Sequence, residues 1–351
     1  MNEDGSMAYW WGCLYSDYAH PGWQKYMGDH AADWVKRVGL DGYRVDCAAG
    51  GRPNWRPYGT NRESMSGICG GLGVLRAARE AMNAVPRKST APGDSGHMLL
   101  AEAGGPVLLR YADMYYDWPL CSYILREYPT TRTEDFVPRL AKWLDNEQFW
   151  MPEDGHALHF LENHDTVRAR MAFGAGPERA LMALCAFIPG TPFVYHLQET
   201  GLAPYLQRLY QLRRERPELT RGDADYSAVR CSDPCLLTFV RRFGDSTSLV
   251  TINLSEKPIE ATLGLPPELG AFSQGVSDAL ASPSNAETVV TISGSSELKL
   301  TIAPFATAVL VPQKALVSSV TQPSIPPPTA TAATRIDRRP EAVKVDSQGL
   351  R

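Results

Sequence analysis

Leu40-Asp41-Gly42-Tyr43-Arg44-Val45-Asp46-Cys47-Ala48-Ala49-Gly50-Gly51 is a short apolar run that ends on a carboxylate and gives way to small residues. This is the pattern of a strand that opens into a long loop. Just upstream, Trp23, Met27, Ala31, Trp34 and Val38 recur at helical spacing, with Pro21 near the start and Gly39 past the end, so a helix feeds the strand. The same strand-end carboxylate returns in Leu99-Leu100-Ala101-Glu102 and in Phe160-Leu161-Glu162-Asn163-His164-Asp165. An acid at the end of a buried strand is costly unless it does chemistry. Three converging carboxylates suit a reaction with a positively charged transition state, such as cleavage of a glycosidic bond.

Working outward, the periodicity predicts helices over 72–85, 119–127, 133–147, 178–187 and 204–216, the third capped by Thr133, and strands over 98–103, 111–116, 156–161 and 192–196. Strand and helix alternate, which predicts an α/β fold with a parallel sheet, open or closed into a barrel. After Arg221-Gly222-Asp223 the texture changes to short β-rich runs over 236–243, 248–254, 259–263, 288–292, 298–302 and 307–311, separated by turns such as Gly244-Asp245. These predict an antiparallel β-sandwich. From 313 the chain is rich in Pro, Ser and Thr without apolar period, the composition of a disordered tail. The expected division is 1–222, 223–312 and 313–351.

A net charge of -4 offers no basic stripe for a phosphate backbone, so nucleic acid is not an expected partner. No run of apolar residues is long enough to predict a membrane span, and the first residues lack the layout of a secretion signal; localisation stays open. The seven cysteines lack zinc spacing and read as free thiols, with a Cys231–Cys235 pair across a turn as the alternative. Gly93-Asp94-Ser95-Gly96 reads as a turn before the strand at Met98 rather than a serine nucleophile loop.

A retaining glycosidase needs one carboxylate to attack the anomeric carbon and another to protonate the leaving oxygen. Asp46, Glu102 and Asp165 are the candidates, delivered to one rim by parallel strands. Arg44, two residues before Asp46 on the same strand face, would keep that carboxylate ionised. His164 would donate to a sugar hydroxyl, and Asn163 would either contact substrate or brace its loop. Tyr111, Tyr115, Tyr116 and Trp118 would stack on sugar rings or sit in the core.

These segments resemble the conserved regions of the α-amylase family of glycoside hydrolases. Gly42-Tyr43-Arg44-Val45-Asp46 is similar to the fourth-strand region, Ala101-Glu102-Ala103 to the fifth and Asn163-His164-Asp165 to the seventh. Thr191-Pro192-Phe193-Val194-Tyr195-His196 begins a segment similar to the eighth-strand signature. Over 15–312 the resemblance implies the fourth to eighth strands of a (β/α)8 TIM barrel, followed by the β-sandwich. It further implies Asp46 as nucleophile, Glu102 as acid/base, Asp165 as transition-state stabiliser, and Arg44, His164 and Asn163 as substrate-binding groups. The expected substrate is an α-glucan or oligosaccharide, with water or a second sugar as acceptor.

The departures carry expectations too. Residues 1–20 look like the stretch joining the family's third strand to its helix, so a partial barrel of five strands with two unpaired edges is expected, and poor folding alone. The alternative to an enzyme is therefore an inactive barrel fragment or glucan-binding remnant. The Lys-His pair that follows the nucleophile in starch-type members is replaced by Ala49-Gly50. The family often holds calcium; its ligands are not identifiable in this chain, and no metal site or other cofactor is expected from the residues.

Overall fold

The computed structural model describes residues 6–313, apart from 8, 11, 15, 49–65, 87–95, 153–154, 282–287 and 293–295. A short antiparallel pair, β1 (Tyr9–Trp10) and β2 (Cys13–Leu14), precedes α1 (Pro21–Val38). The helix starts where expected, because His20 Nδ1 accepts the Gly22 N–H and Pro21 needs no partner for its nitrogen. It stops at Gly39, whose left-handed backbone (φ 74°) lets its N–H return to Val35 O.

The parallel half comprises β3 (Gly42–Val45), α2 (Ser66–Asn83), β4 (Met98–Ala101), β5 (Met114–Tyr116), α3 (Thr133–Trp150), β6 (His156–His159), α4 (Ala169–Phe173), α5 (Ala175–Phe187), β7 (Thr191–Pro192), α6 (Ala203–Glu215) and α7 (Pro217–Arg221). Its five strands lie in sequence order, β3-β4-β5-β6-β7, all parallel. Among the described residues, β3 and β7 are its edges. Gly42 permits the close approach of β3 to β4, since a Cβ there would meet Met98 O at 2.0 Å. One face packs Leu99, Ala101, Tyr115 and Ala157 against α1 and α2, joined by Leu75 and Met82. The other carries Tyr116, Leu158 and Phe160 with Leu100, Met114, Trp118 and Phe193.

The antiparallel half comprises β8 (Asp223–Asp225), β9 (Arg230–Cys231), β10 (Leu236–Phe243), β11 (Ser246–Asn253), β12 (Ile259–Gly264), β13 (Val276–Asp278), β14 (Thr288–Ile292), β15 (Glu297–Ile302) and β16 (Thr307–Pro312). They form two sheets, β13-β16-β11-β10-β8 and β14-β15-β12-β9. Leu236, Val240, Leu249 and Leu310 of the first share a core with Ile259, Leu263, Leu298 and Leu300 of the second. A further core joins α3, α5 and α6 to Leu237, Phe239, Val250 and Ile252, welding the halves together.

Several local expectations need correction. Residues 106–110 form a 3₁₀ turn and the strand begins only at Met114, so Tyr111 precedes it. The segment after Pro119 is a π turn running into 3₁₀ geometry, interrupted by Pro129, not an α-helix. Thr133 is the first helical residue rather than the cap, which is Arg132 without a side-chain capping bond. β7 has two residues where five were expected. The free-thiol reading holds at Cys231 and Cys235, and Cys231 Sγ reaches Asp233 O at 3.3 Å. The expected tail and most of the 93–96 turn lie outside the described residues.

Candidate active site

β3 and β4 end side by side, Val45 opposite Ala101, and the next residues along each are Asp46 and Glu102. Their C-terminal ends stay in register, with Glu102 N–H donating to Val45 O at 2.9 Å and Ala48 N–H to Glu102 O at 3.3 Å. Arg44 leaves β3 on the same face as Asp46, as strand alternation dictates. Its Nη1 contacts Asp46 Oδ1, and its Nη2 lies 3.8 Å from Glu102 Oε1. One guanidinium therefore serves both carboxylates. It also sits over the Tyr116 ring, 5.6 Å from the centroid. Burial works to lower the Arg44 pKa, but hydrogen bonds to Asp46 and Tyr116 and the two carboxylate charges outweigh it and hold the group above its ordinary value.

The two acids are not equivalent. The Asp46 side chain is 71% exposed, whereas that of Glu102 is 13% exposed and its Oε2 accepts the Cys47 N–H at 2.9 Å. Cys47 bears a left-handed backbone (φ 46°) that side chains rarely adopt, so strain is stored between the two acids. Burial, then the Asp46 charge and hydrogen bond, push the Cys47 thiol up and keep it protonated near neutrality.

Asp165, His164 and Asn163 form a second group, on the turn after β6. Asp165 N–H donates to Asn163 Oδ1 at 2.9 Å, Asn163 N–H to Thr166 Oγ1 at 2.9 Å, and His164 Nε2 lies 3.2 Å from Asp165 Oδ2. Asn163 is 2% exposed, so its oxygen braces the loop. Its buried Nδ2, like the buried Nη2 of Arg44, makes no hydrogen bond. Arg44 Nη2 still faces the Glu102 carboxylate at 3.8 Å, whereas the Asn163 amide nitrogen is an unpaired buried donor at the strand-end rim, suited to a hydroxyl-rich ligand. Among the described residues, no hydrogen bond or ion pair joins this group to Asp46 or Glu102. The link is the aromatic floor: Tyr116 under Arg44 lies 5.5 Å from Phe160, which meets Trp118 at 5.1 Å and Phe193 at 6.5 Å.

The four aromatics singled out in the sequence divide accordingly. Tyr116 and Trp118 belong to this floor, while Tyr115 points to the opposite face, where its hydroxyl donates to Glu147 at 3.3 Å, and Tyr111 packs in the helix-side core.

Three strand-end charges were missed. Glu162 is 1% exposed, pairs with Arg168 at 2.5 Å and accepts the Ala169 N–H; Arg168 also donates to His196 O at 2.7 Å, tying the loop after β6 to that after β7. Asp117 and His159 form a fully buried pair, 2.8 Å apart, at the ends of β5 and β6. Asp117 follows the apolar Met114-Tyr115-Tyr116 just as Asp46 and Glu102 follow their strands, a signal present in the sequence. His159 carries none, because a lone histidine in an apolar run reads as core.

Among the described residues, no group of three or more His, Cys, Asp or Glu side chains is placed to hold a metal ion, and no helix is long and apolar enough to cross a membrane.

No protein-family model matches the sequence. A cyclomaltodextrinase from Geobacillus thermopakistaniensis is 22% identical over 271 residues, 69% of this chain and 41% of that protein. The chain thus spans about two fifths of the length of that relative. The fold is shared with solved α-amylases. An α-amylase from H. orenii superposes with a TM-score of 0.65 at 16% identity, covering 86% of this chain and 66% of that one. A maltogenic α-amylase, AmyB, from Thermotoga neapolitana gives 0.62 at 16% identity, covering 86% and 68%. An α-amylase from Lactobacillus plantarum gives 0.61 at 19% identity, covering 88% and 71%.

Proposed function

We propose that this chain, whose fold is that of the α-amylase family, is a retaining glycoside hydrolase or transglycosidase acting on α-glucosidic bonds of α-glucans or oligosaccharides. The observation that carries the reading is the single Arg44 guanidinium serving Asp46 and Glu102 at adjoining strand ends. Two carboxylates with unlike surroundings are what an acid and a nucleophile require.

In this reading Asp46, exposed and paired with Arg44, attacks the anomeric carbon and forms a covalent glycosyl-enzyme. Glu102, more enclosed, gives its proton to the leaving oxygen and then takes one from the incoming water or sugar. Asp165 faces the positive charge that develops on the sugar ring, and His164 and the Asn163 amide donate to its hydroxyls. The relatives support the substrate class: a solved α-amylase-fold neighbour, AmyP, is complexed with maltose, and one from Geobacillus thermoleovorans with acarbose. We assign residues 1–222 to a partial (β/α)8 barrel made of the fourth to eighth strands, 223–312 to a β-sandwich and 313–351 to a tail.

The test is hydrolysis of a maltooligosaccharide followed by NMR of the fresh products. An α-anomeric product from wild type, and loss of turnover in Asp46→Asn at unchanged unfolding temperature, is the expected result. A β-anomeric product, or wild-type rates in Asp46→Asn, would overturn the assignment. Glucan binding without turnover by wild type would favour the binding-remnant reading instead.

A further inference from the structure

We propose that Asp117 and His159 are positioning residues of this site: a buried imidazolium–carboxylate clasp that locks the C-terminal ends of β5, β6 and β7 and thereby sets the floor and the Asp165 loop. The proposal rests on the glycosidase reading above.

His159 has an acceptor at each ring nitrogen. Nδ1 lies 2.8 Å from Asp117 Oδ2, and Nε2 lies 2.6 Å from Pro189 O. A carboxylate and a peptide carbonyl both accept, so both ring nitrogens must donate, which only the doubly protonated imidazolium does. The other Asp117 oxygen is used as well, accepting the Leu120 N–H at 3.1 Å. His159 is 1% exposed and Asp117 is not exposed at all. Burying such a pair is expensive, and removing one partner strands the other charge.

The clasp joins three strand ends that the short ladders hold weakly. β5 gives Asp117, β6 gives His159, and Pro189 and Gly190 lead into the two-residue β7. Gly190 is required beside the ring: its φ is +121°, and a Cβ there would meet His159 Nε2 at 2.3 Å. The backbone continues the pairing past each strand, with Asp117 N–H donating to Leu158 O at 3.1 Å and Phe193 N–H to His159 O at 2.9 Å. Trp118 follows Asp117, Phe160 follows His159, and Phe193 comes shortly after Gly190, so the clasp fixes three floor rings. Tyr116, which carries Arg44, precedes Asp117. The loop holding Asn163 and Asp165 leaves directly from Phe160.

The charged and titratable groups around the ring come from several elements. Tyr115 lies on β5, Asp117 directly after it, and Glu147 on α3. Tyr226 lines the same small cavity as Glu147 and His159, and the buried thiols of Cys121 and Cys185 feel the Asp117 charge. Burial opposes the His159 charge, but the hydrogen bond and charge of Asp117, the Glu147 charge and the Pro189 carbonyl outweigh it and hold the pKa above the ordinary histidine value.

The experiment uses the full chain in two arms. In the first, ¹⁵N NMR of histidine-labelled wild type at pH 7.5 reads His159 protonation. Both ring nitrogens protonated, and amide shifts of residues 160–165 and 193–196 that move with His159 on further alkalinisation, are expected. One unprotonated ring nitrogen at that pH, or rim amides indifferent to its titration, would overturn the clasp. In the second, the pH profile of maltooligosaccharide hydrolysis is compared between wild type and Asp117→Asn. The variant is expected to lose on the order of 10–100-fold in kcat, with KM changed less. Its alkaline limb should move about 1–3 pH units lower, because the imidazolium has lost its carboxylate. An alkaline limb at the wild-type position would overturn the proposal. If Asp117→Asn does not fold, the first arm decides on wild type alone. If wild type hydrolyses no α-glucoside, the glycosidase reading fails while the first arm still decides whether the clasp holds the rim.

Discussion

The two halves of this molecule spend their polar residues differently. In the antiparallel half, β10 and β11 run eight residues each and are buried nearly throughout, and the strands obtain their stability from long ladders and a shared apolar core. In the parallel half, the strands have two to four residues, and each is followed within a few positions by a charged or polar group: Asp46, Glu102, Asp117, Glu162 and His196. Short ladders there are supplemented by side-chain ties, namely Arg44 across β3 and β4, Asp117–His159 across β5 and β6, and Arg168 between the loops after β6 and β7. One half is held by long ladders and an apolar core; the other places charge at a rim.

If that contrast is right, substitutions in the parallel rim should strike activity and those in the antiparallel half stability. The largest effect is expected for Asp46→Asn, a loss of at least about 10³-fold in kcat. Because its side chain is mostly exposed, the unfolding midpoint should stay where it is in a thermal melt. Next comes Arg241→Ala. Arg241 is fully buried in β10 and donates to Phe187 O and, at 2.6 Å, to Gly222 O, so it stitches one half to the other. Its removal leaves two buried carbonyls unpaired and should cost about 3 kcal/mol in urea unfolding.

A third test concerns pH. Burial and then the Asp117 charge push the Glu147 carboxyl up to about 7 from its ordinary 4.5. A carboxyl whose pKa rises on folding favours the protonated native state. Its contribution is complete below the ordinary value and is lost as pH rises through about 7. His159, also raised, acts in the same direction at higher pH. Stability should therefore fall from pH 5 to 8, and Glu147→Gln should flatten that slope by on the order of 2 kcal/mol in denaturant titrations at the two pH values. The smallest effect is expected for Lys25→Ala on α1, whose side chain and that of its partner Asp29 are both mostly exposed; equilibrium unfolding should change by less than about 0.5 kcal/mol.

The halves also differed in how far they could be read from sequence. β10 and β14 were legible to the residue, because apolar β-branched runs are cut by turn residues such as Gly244-Asp245. β8, β9 and β13 were not, since segments such as Asp223–Asp225 and Val276–Asp278 are short and polar. They become strands only by pairing with β10, β12 and β16. In the parallel half, the strand order and the carboxylate-bearing ends were legible, because each acid closes an apolar run. The pairing of Asp117 with His159 was not, because it joins residues far apart in sequence and has no local period. Asn163 shows the same limit: its loop-bracing oxygen and unpaired nitrogen are facts of the fold.

The most direct test of the central claim is to trap the intermediate. The chain is incubated with a slow 5-fluoro-α-glucosyl fluoride, digested, and mapped by mass spectrometry. A single glycosyl adduct on the peptide carrying Asp46, absent in Asp46→Asn, is the expected result. An adduct on Glu102 or Asp165 instead, or turnover of α-glucosides with no adduct on Asp46, would contradict it.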